Sequence, residues 1–230
     1  MPLTIIGLGP GDPDDITRRA WRIMENAAAL YLRTSRPPCV PATSSNNFWW
    51  MNLIAIVISD ALYLRTSRHP CVPSLPNTYE SFDRLYEAHE AFEDVYAAIT
   101  STLLDAAQSS DVVYAVPGDP FIAESTVAQL LGGAKAREIE VTVVNGVSFI
   151  EPTCAALGID ALDGLQLVDA LAVAVAHHPP LNPDIPALLA QVYSREVASN
   201  VKLTLMNQYA DDFEVTHVHS AGADGLTETL

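Results

Sequence analysis

At 230 residues with 49% apolar side chains, the chain can bury the core of one large α/β domain or two small ones, which excludes wholesale disorder. Lys and Arg number 12 against 28 Asp and Glu, a formal net charge of −16. That balance argues against any partner held through its phosphates or through an anionic membrane surface.

Thr4-Ile5-Ile6 followed by Gly7-Leu8-Gly9-Pro10-Gly11 reads as a buried strand ending in a glycine-rich turn. Asp14 or Asp15 is the expected cap of a helix from about Ile16 to Ala28, and Ala29 to Leu32 is the next strand. Strand, turn, helix, strand is the order of a parallel sheet built from βαβ units. A helical pattern runs from Ser81 to Ala106, as two helices or one broken one. Val112 to Val116 is a continuous apolar strand stopped by Pro117-Gly118-Asp119-Pro120. A helix through about Leu131, the strand Val141 to Val144, the turn Asn145-Gly146 and a helix from Pro152 to Leu157 follow. Leu165 to Val168, Ala187 to Ala190, Lys202 to Leu205 and Val215 to Val218 read as further strands, with loops at His177-His178-Pro179-Pro180 and Pro183 to Pro186. The expected organisation is two α/β lobes, residues 1–150 and 151–230, with a ligand cleft between them at the carboxyl ends of strands.

Residues 29–41 (ALYLRTSRPPCVP) recur as residues 61–73 (ALYLRTSRHPCVP), with Pro37 against His69 the one difference. A sheet has one slot for such a strand. Either one copy is extruded together with Ala42 to Asp60, or it adds an edge strand. The duplicated or inserted segment, about 34–66, also holds the apolar run Phe48 to Ile58, half the ~20 residues of a membrane-spanning helix. It reads as a partner-binding patch, or as a tandem duplication or misread gene boundary, and carries no part of the functional argument. Cys39, Cys71 and Cys154 form no disulfide framework and no CxxC pair, and the N-terminus lacks the positive segment of a secretory signal. A cytoplasmic protein without nucleic-acid or membrane partners is expected.

Gly7-x-Gly9-x-Gly11 between a strand and a helix is a phosphate-loop type of signal. A dinucleotide site would want glycine where Asp12 stands and an acidic residue where Arg33 stands, so that reading is weak. Pro117-Gly118-Asp119-Pro120 echoes Gly9-Pro10-Gly11-Asp12-Pro13, and Val144 to Phe149 makes a third turn on the same sheet edge.

These three motifs, in this order, resemble the tetrapyrrole methylase family: Gly7 to Thr17, then Val116 to Pro120 with Ser125-Thr126, then Val144 to Ser148 with Ala155 to Gly158. The family has the class III fold of S-adenosylmethionine-dependent methyltransferases, which also contains diphthine synthase. Tyr63 to Thr66, Thr78 to Asp83, His177 to Pro183 and Val201 to Met206 look most like the methylase-like domain fused to MazG-type nucleotide pyrophosphohydrolases. The resemblance implies two αβα lobes with S-adenosyl-L-methionine folded between them. It would meet Pro10, then Pro117, Gly118, Asp119 and Ile122, then Ser148 and Phe149, and in the second lobe Met206 and Gly222. It further implies a homodimer, a small-molecule methyl acceptor and a MazG-type partner. The second lobe is expected to be truncated at its end, before a last strand and helix. Uroporphyrinogen-type members carry a Tyr-Asp pair after the second strand, with the Asp as proton acceptor. Here Leu32-Arg33 or Leu64-Arg65 stands there, so no catalytic residue is named.

Two rival functions follow from other residues. A domain that binds S-adenosylmethionine or a nucleotide without catalysis would leave the chemistry to a pyrophosphohydrolase partner. A magnesium pyrophosphohydrolase would draw on Glu87, Glu90, Glu93 and Asp94 of one helix, with Glu87, Glu90 and Asp94 on one face, but lacks a second acidic pair; a solvated face is the simpler reading. His217-x-His219 places two imidazoles on one side of a strand without a third ligand, and no metal is expected. Cys154, near a helix start, has the setting of a lowered pKa but is better read as a buried thiol.

Overall fold

The computed structural model describes residues 2–33, 54–58, 71–219, 221–222 and 226–229. In chain order the elements are β1 (Leu3–Gly7), α1 (Arg18–Glu25), β2 (Leu30–Leu32), β3 (Ile54–Ile58), β4 (Glu80–Ser81), α2 (Asp83–Ala88) and α3 (Phe92–Ala106). Then come β5 (Val112–Val116), α4 (Ser125–Ala136), β6 (Val141–Val144), α5 (Ile150–Leu157), β7 (Gln166–Asp169) and α6 (Ala170–Ala174). β8 (Ala187–Ala190), α7 (Arg195–Leu205), β9 (Thr216–His219) and β10 (Leu226–Thr229) complete the chain. Two compact units result. One holds the described residues up to Arg33 and from Cys71 to Phe149; the other holds β3 and the described residues from Ile150 onward.

The first unit carries a five-stranded sheet, β4-β2-β5-β1-β6, in which every neighbouring pair is parallel. Alternation along the central strands feeds two cores. Leu3, Ile5, Val112, Tyr114 and Val116 face α3 and α4, where they meet Val95, Ile99, Leu103, Val127 and Leu130. Ile6, Val113 and Ala115 face the other way, onto Ala20 and Met24 of α1. Burial on both faces explains why β5 is apolar without interruption. Each fully buried Leu or Ile of this kind contributes roughly 1.5–3 kcal/mol.

The second unit repeats the layering around the order β10-β9-β3-β8-β7, parallel except for the β10–β9 pair. Ala187 and Leu189 of β8 pack with Val173, Val197, Val201 and Leu205 from α6 and α7, while Leu188 packs with Leu157 of α5 on the opposite face. Helices thus cover both faces of a largely parallel sheet in each unit, the expected α/β class.

Several local expectations need correction. Lys202 to Leu205 is the last turn of α7, not a strand: Ser194 caps the helix by accepting from the Val197 N–H at 2.9 Å. The buried set Val197, Val201, Thr204, Leu205 then repeats at helical spacing. The first helix is capped by Thr17, which accepts from the Ala20 N–H, while Asp12 caps a separate 3-10 turn at Pro13–Asp15. The apolar run read as an insert supplies β3, paired with β8 on one side and β9 on the other. Of the repeat, the first copy provides β2. Residues 61–70 of the second lie outside the described residues, and its last residues continue as buried Cys71 and a 3-10 turn at Val72–Ser74.

Candidate functional site

Three turns leave the carboxyl edge of the first sheet side by side, because β1 lies between β5 and β6 in register. The first two are zipped by backbone alone. The Gly118 N–H donates to the Gly9 carbonyl at 2.8 Å and the Gly9 N–H to the Gly118 carbonyl at 3.3 Å. Both glycines hold positive φ, 79° and 66°, a conformation that side chains resist.

Asp119 fastens the second turn to the third. Its Oδ1 accepts from the Phe121 N–H at 2.8 Å, and its Oδ2 accepts from the Gly146 N–H at 3.1 Å and from Asn145 Nδ2 at 3.2 Å. With both oxygens engaged and 8% of the residue exposed, its carboxylate acts on the turns themselves. Gly7 and Gly146 answer to a different constraint. A Cβ on either would fall on the Gly118 carbonyl oxygen, so three backbones meet where no side chain fits. Gly118 is the opposite case: a Cβ there would meet nothing within 4 Å. The edge is a rigid backbone shelf with open space above its middle turn.

Of the nine positions expected to meet a cofactor, seven lie on these turns. Pro10, Pro117, Gly118, Ile122 and Phe149 are half-buried, and Asp119 and Ser148 are buried. Met206, the C-cap of α7, is 43% exposed, and Gly222 has φ 86°; both belong to the second unit. Around the first turn, burial and then the neighbouring Asp12 and Asp14 hold the Asp15 carboxyl above its ordinary range. Such a concentration of negative charge disfavours a pyrophosphate and favours a ligand carrying positive charge.

Arg33 stands one residue past β2 on this same edge, its N–H donating to the Ala115 carbonyl. Its Nη1 pairs with Glu124 Oε2 at 3.1 Å, its Nη2 donates to the Tyr96 hydroxyl at 3.3 Å, and its guanidinium carbon lies 5.6 Å from the Tyr96 ring centre. Burial acts to lower the Arg33 pKa, but Glu124 foremost, with Tyr86, Tyr114 and Tyr96, raises it overall. Glu124, its side chain 2% exposed, also accepts through Oε1 from the Thr126 hydroxyl at 2.7 Å, and Thr126 shares a 3.0 Å hydrogen bond with the Tyr114 hydroxyl. Of these partners only Thr126 is singled out in the sequence, within the second motif. They come from α2, α3, β5, α4 and the loop before α4, with no spacing that links them.

The acidic constellation does not assemble as expected. Glu87 lies on α2, Glu90 between helices, and Glu93 and Asp94 in the first turn of α3, so no single helix face carries them. Among the described residues no three His, Cys, Asp or Glu side chains are placed to hold a metal. Cys154 is half-buried with its thiol pKa raised by burial, then Glu151 and Asp160, the reverse of an activated cysteine. Among the described residues no helix is long and apolar enough to cross a membrane.

Comparison with known proteins bears on the fold and the family. The chain is 35% identical over 228 residues to the uncharacterized protein YabN of Bacillus subtilis (strain 168), an alignment covering 97% of this chain and 39% of YabN. The chain therefore spans well under half the length of this curated relative. Its fold is similar to the crystal structure of diphthine synthase, with a TM-score of 0.61 and 17% identity over 100% of this chain and 81% of that one. It is also similar to uroporphyrin-III-C-methyltransferase from Thermus thermophilus, with a TM-score of 0.61 and 14% identity over 99% and 84% of the two chains. Residues 2–228 match the family of tetrapyrrole (corrin/porphyrin) methylases, and the chain belongs to that family.

Proposed function

We propose that this chain is a methyltransferase that binds S-adenosyl-L-methionine at the turn edge and acts on a small-molecule acceptor, as a cytoplasmic homodimer. The observation that carries the reading is the fastened shelf of three turns with open space above Gly118, in a chain of this family. The residues present fit the cofactor. Pro10, Pro117, Gly118, Ile122, Ser148 and Phe149 of the first unit would hold it, while Asp119 keeps the turns in place. When bound, the cofactor supplies an electrophilic methyl carbon on a sulfonium sulfur. What the chain contributes is position: backbone groups that cannot shift keep a donor at near-attack geometry, and apolar Ile122 and Phe149 help to exclude water.

The end of β2 offers no proton acceptor, because Arg33 occupies that place and is paired with Glu124. That observation favours a second reading: a non-catalytic domain that binds S-adenosylmethionine or a nucleotide beside a MazG-type pyrophosphohydrolase. The 39% coverage of YabN leaves room for such a partner in the relative.

Calorimetric titration with S-adenosylmethionine and its demethylated product tests the first step, with Gly118→Trp as control. Saturable binding lost in the control supports the shelf as the site. No binding by folded wild-type protein overturns both readings that use this cofactor. Methyl transfer from labelled cofactor then separates transferase from sensor.

A further inference from the structure

The third turn of the shelf contains the only Asn-Gly pair in the chain, Asn145-Gly146. In such a pair the glycine nitrogen can attack the side-chain amide carbon of the asparagine before it. Glycine has no side chain to bar the approach, and its backbone reaches the bent conformation that ring closure needs. Asn145 is exposed, so water reaches it. The hazard cannot be removed by exchanging the glycine, because a Cβ on residue 146 would fall on the Gly118 carbonyl oxygen and against the Gly7 backbone. Close packing thus imposes a fragile dipeptide on the turn.

One carboxylate oxygen holds both of the groups that would react. The Gly146 N–H donates to Asp119 Oδ2 at 3.1 Å, and Asn145 Nδ2 donates to the same oxygen at 3.2 Å. Asp119 is itself anchored, since its Oδ1 accepts from the Phe121 N–H at 2.8 Å. Attack begins with loss of the Gly146 proton, and a carboxylate bonded to that proton opposes an anion forming on the nitrogen. The bond to Nδ2 keeps the Asn145 amide from turning its carbon towards that nitrogen.

We propose that Asn145-Gly146 is a site of spontaneous deamidation that Asp119 holds in check, and that the reaction, once it occurs, dismantles the shelf. The Gly146 nitrogen bonds to Asn145 Cγ, the Cγ–Nδ2 bond breaks, and the amide nitrogen leaves as ammonia with the proton that Gly146 gave up. Water opens the resulting cyclic imide to aspartate or isoaspartate, and nothing is oxidised or reduced. Either product sets a carboxylate where the Asn145 amide donated to Asp119, so two like charges replace a hydrogen bond. That the lesion costs cofactor binding rests on the reading of the shelf given above; the chemistry of the turn does not.

The test ages folded wild-type protein, Asp119→Ala and a free peptide of residues 141–149 side by side, and reads aspartate and isoaspartate at position 145 by peptide mass mapping. The expected rate in the wild type is about tenfold or more below that of the peptide, the worth of a hydrogen bond to a charged group. Asp119→Ala should return towards the peptide rate. Asp119→Asn, which keeps the shape and removes the charge, takes its place if the alanine variant does not fold. A folded wild type as fast as the peptide, or a folded Asp119 variant no faster than wild type, overturns the proposal. Asn145→Asp, the product made in advance, should lower Tm more than Asn145→Ala, which loses the amide without adding charge; the opposite order overturns the damage to the shelf. Cofactor titration of fresh and aged wild type reads the rest. Binding that falls as the lesion accumulates supports the proposal, and unchanged binding by fully deamidated protein overturns the damage to the shelf. Fresh protein that deamidates as expected but never binds cofactor sinks the methyltransferase reading and leaves the modification site standing.

Discussion

The three-turn shelf and the Arg33 cluster occupy the same sheet edge and are held together in opposite ways. In the shelf, backbone meets backbone, and all but one of the ties described are amide to carbonyl or amide to Asp119. In the cluster, side chains from five segments meet one another, and charge, phenols and a hydroxyl supply the ties. A backbone-held site tolerates any residue that fits its space and fails abruptly when one does not. A side-chain-held site degrades in steps, and each step is chemical.

The sharpest break is expected at Gly146→Ala, where a methyl group has no room against the Gly118 carbonyl. The loss should be about 3 kcal/mol or more and should register as a lowered Tm, whereas Gly118→Ala, strained in φ but unobstructed, should cost nearer 1 kcal/mol. Glu124→Gln removes one member of a buried pair and should cost roughly 3 kcal/mol by denaturant unfolding, less if the amide still accepts from Thr126. Asp119→Ala frees two turns at once. A loss near 2 kcal/mol is expected, with cofactor affinity falling further than stability explains.

Alkali weakens the fold through two buried groups. Burial raises Cys71 from 9.0 to about 12 and Tyr86 from 10.0 to about 12. Above those ordinary values the unfolded chain gives up protons that the folded chain keeps, so stability falls as pH rises from about 9, and more steeply beyond 10. Tyr86→Phe should flatten the upper part of that decline and leave the shelf's cofactor binding unchanged. The smallest effect is expected at Thr17→Ala, the cap of α1, at about 1 kcal/mol with no change at either site.

The contrast also explains what was legible beforehand. The shelf announces itself because backbone demands select residues locally: glycine for positive φ or close approach, proline for a stiff turn, aspartate to bind nearby amides. Each signal lies within a few positions of the next. The Arg33 cluster gives no such signal, since Tyr86, Tyr96, Tyr114 and Glu124 are ordinary residues until the fold brings them together. Arg33 itself stands out in the sequence only as a departure, where a dinucleotide site wants an acidic residue and where a Tyr-Asp pair would supply a base. Among the elements, β5 and β6 were plain from apolar runs. Lys202 to Leu205 misled because four alternating residues suit a strand, and the helix shows itself only when Ser194 and Val197 are included. The role of Ile54–Ile58 escaped because nothing nearby reveals a partner so far along the chain.

That last strand has a consequence in time. β3 pairs on one side with β8 and on the other with β9, neither of which is synthesised until roughly 130 residues later. As the chain leaves the ribosome, Ile54–Ile58 emerges within the first unit's sequence as a wholly apolar strand with two unpaired edges, an invitation to mispairing until the last quarter of the chain arrives. Cutting the gene at residue 150 would therefore yield no pair of independent domains: one half would carry an orphan strand, and the other would lack the middle of its sheet.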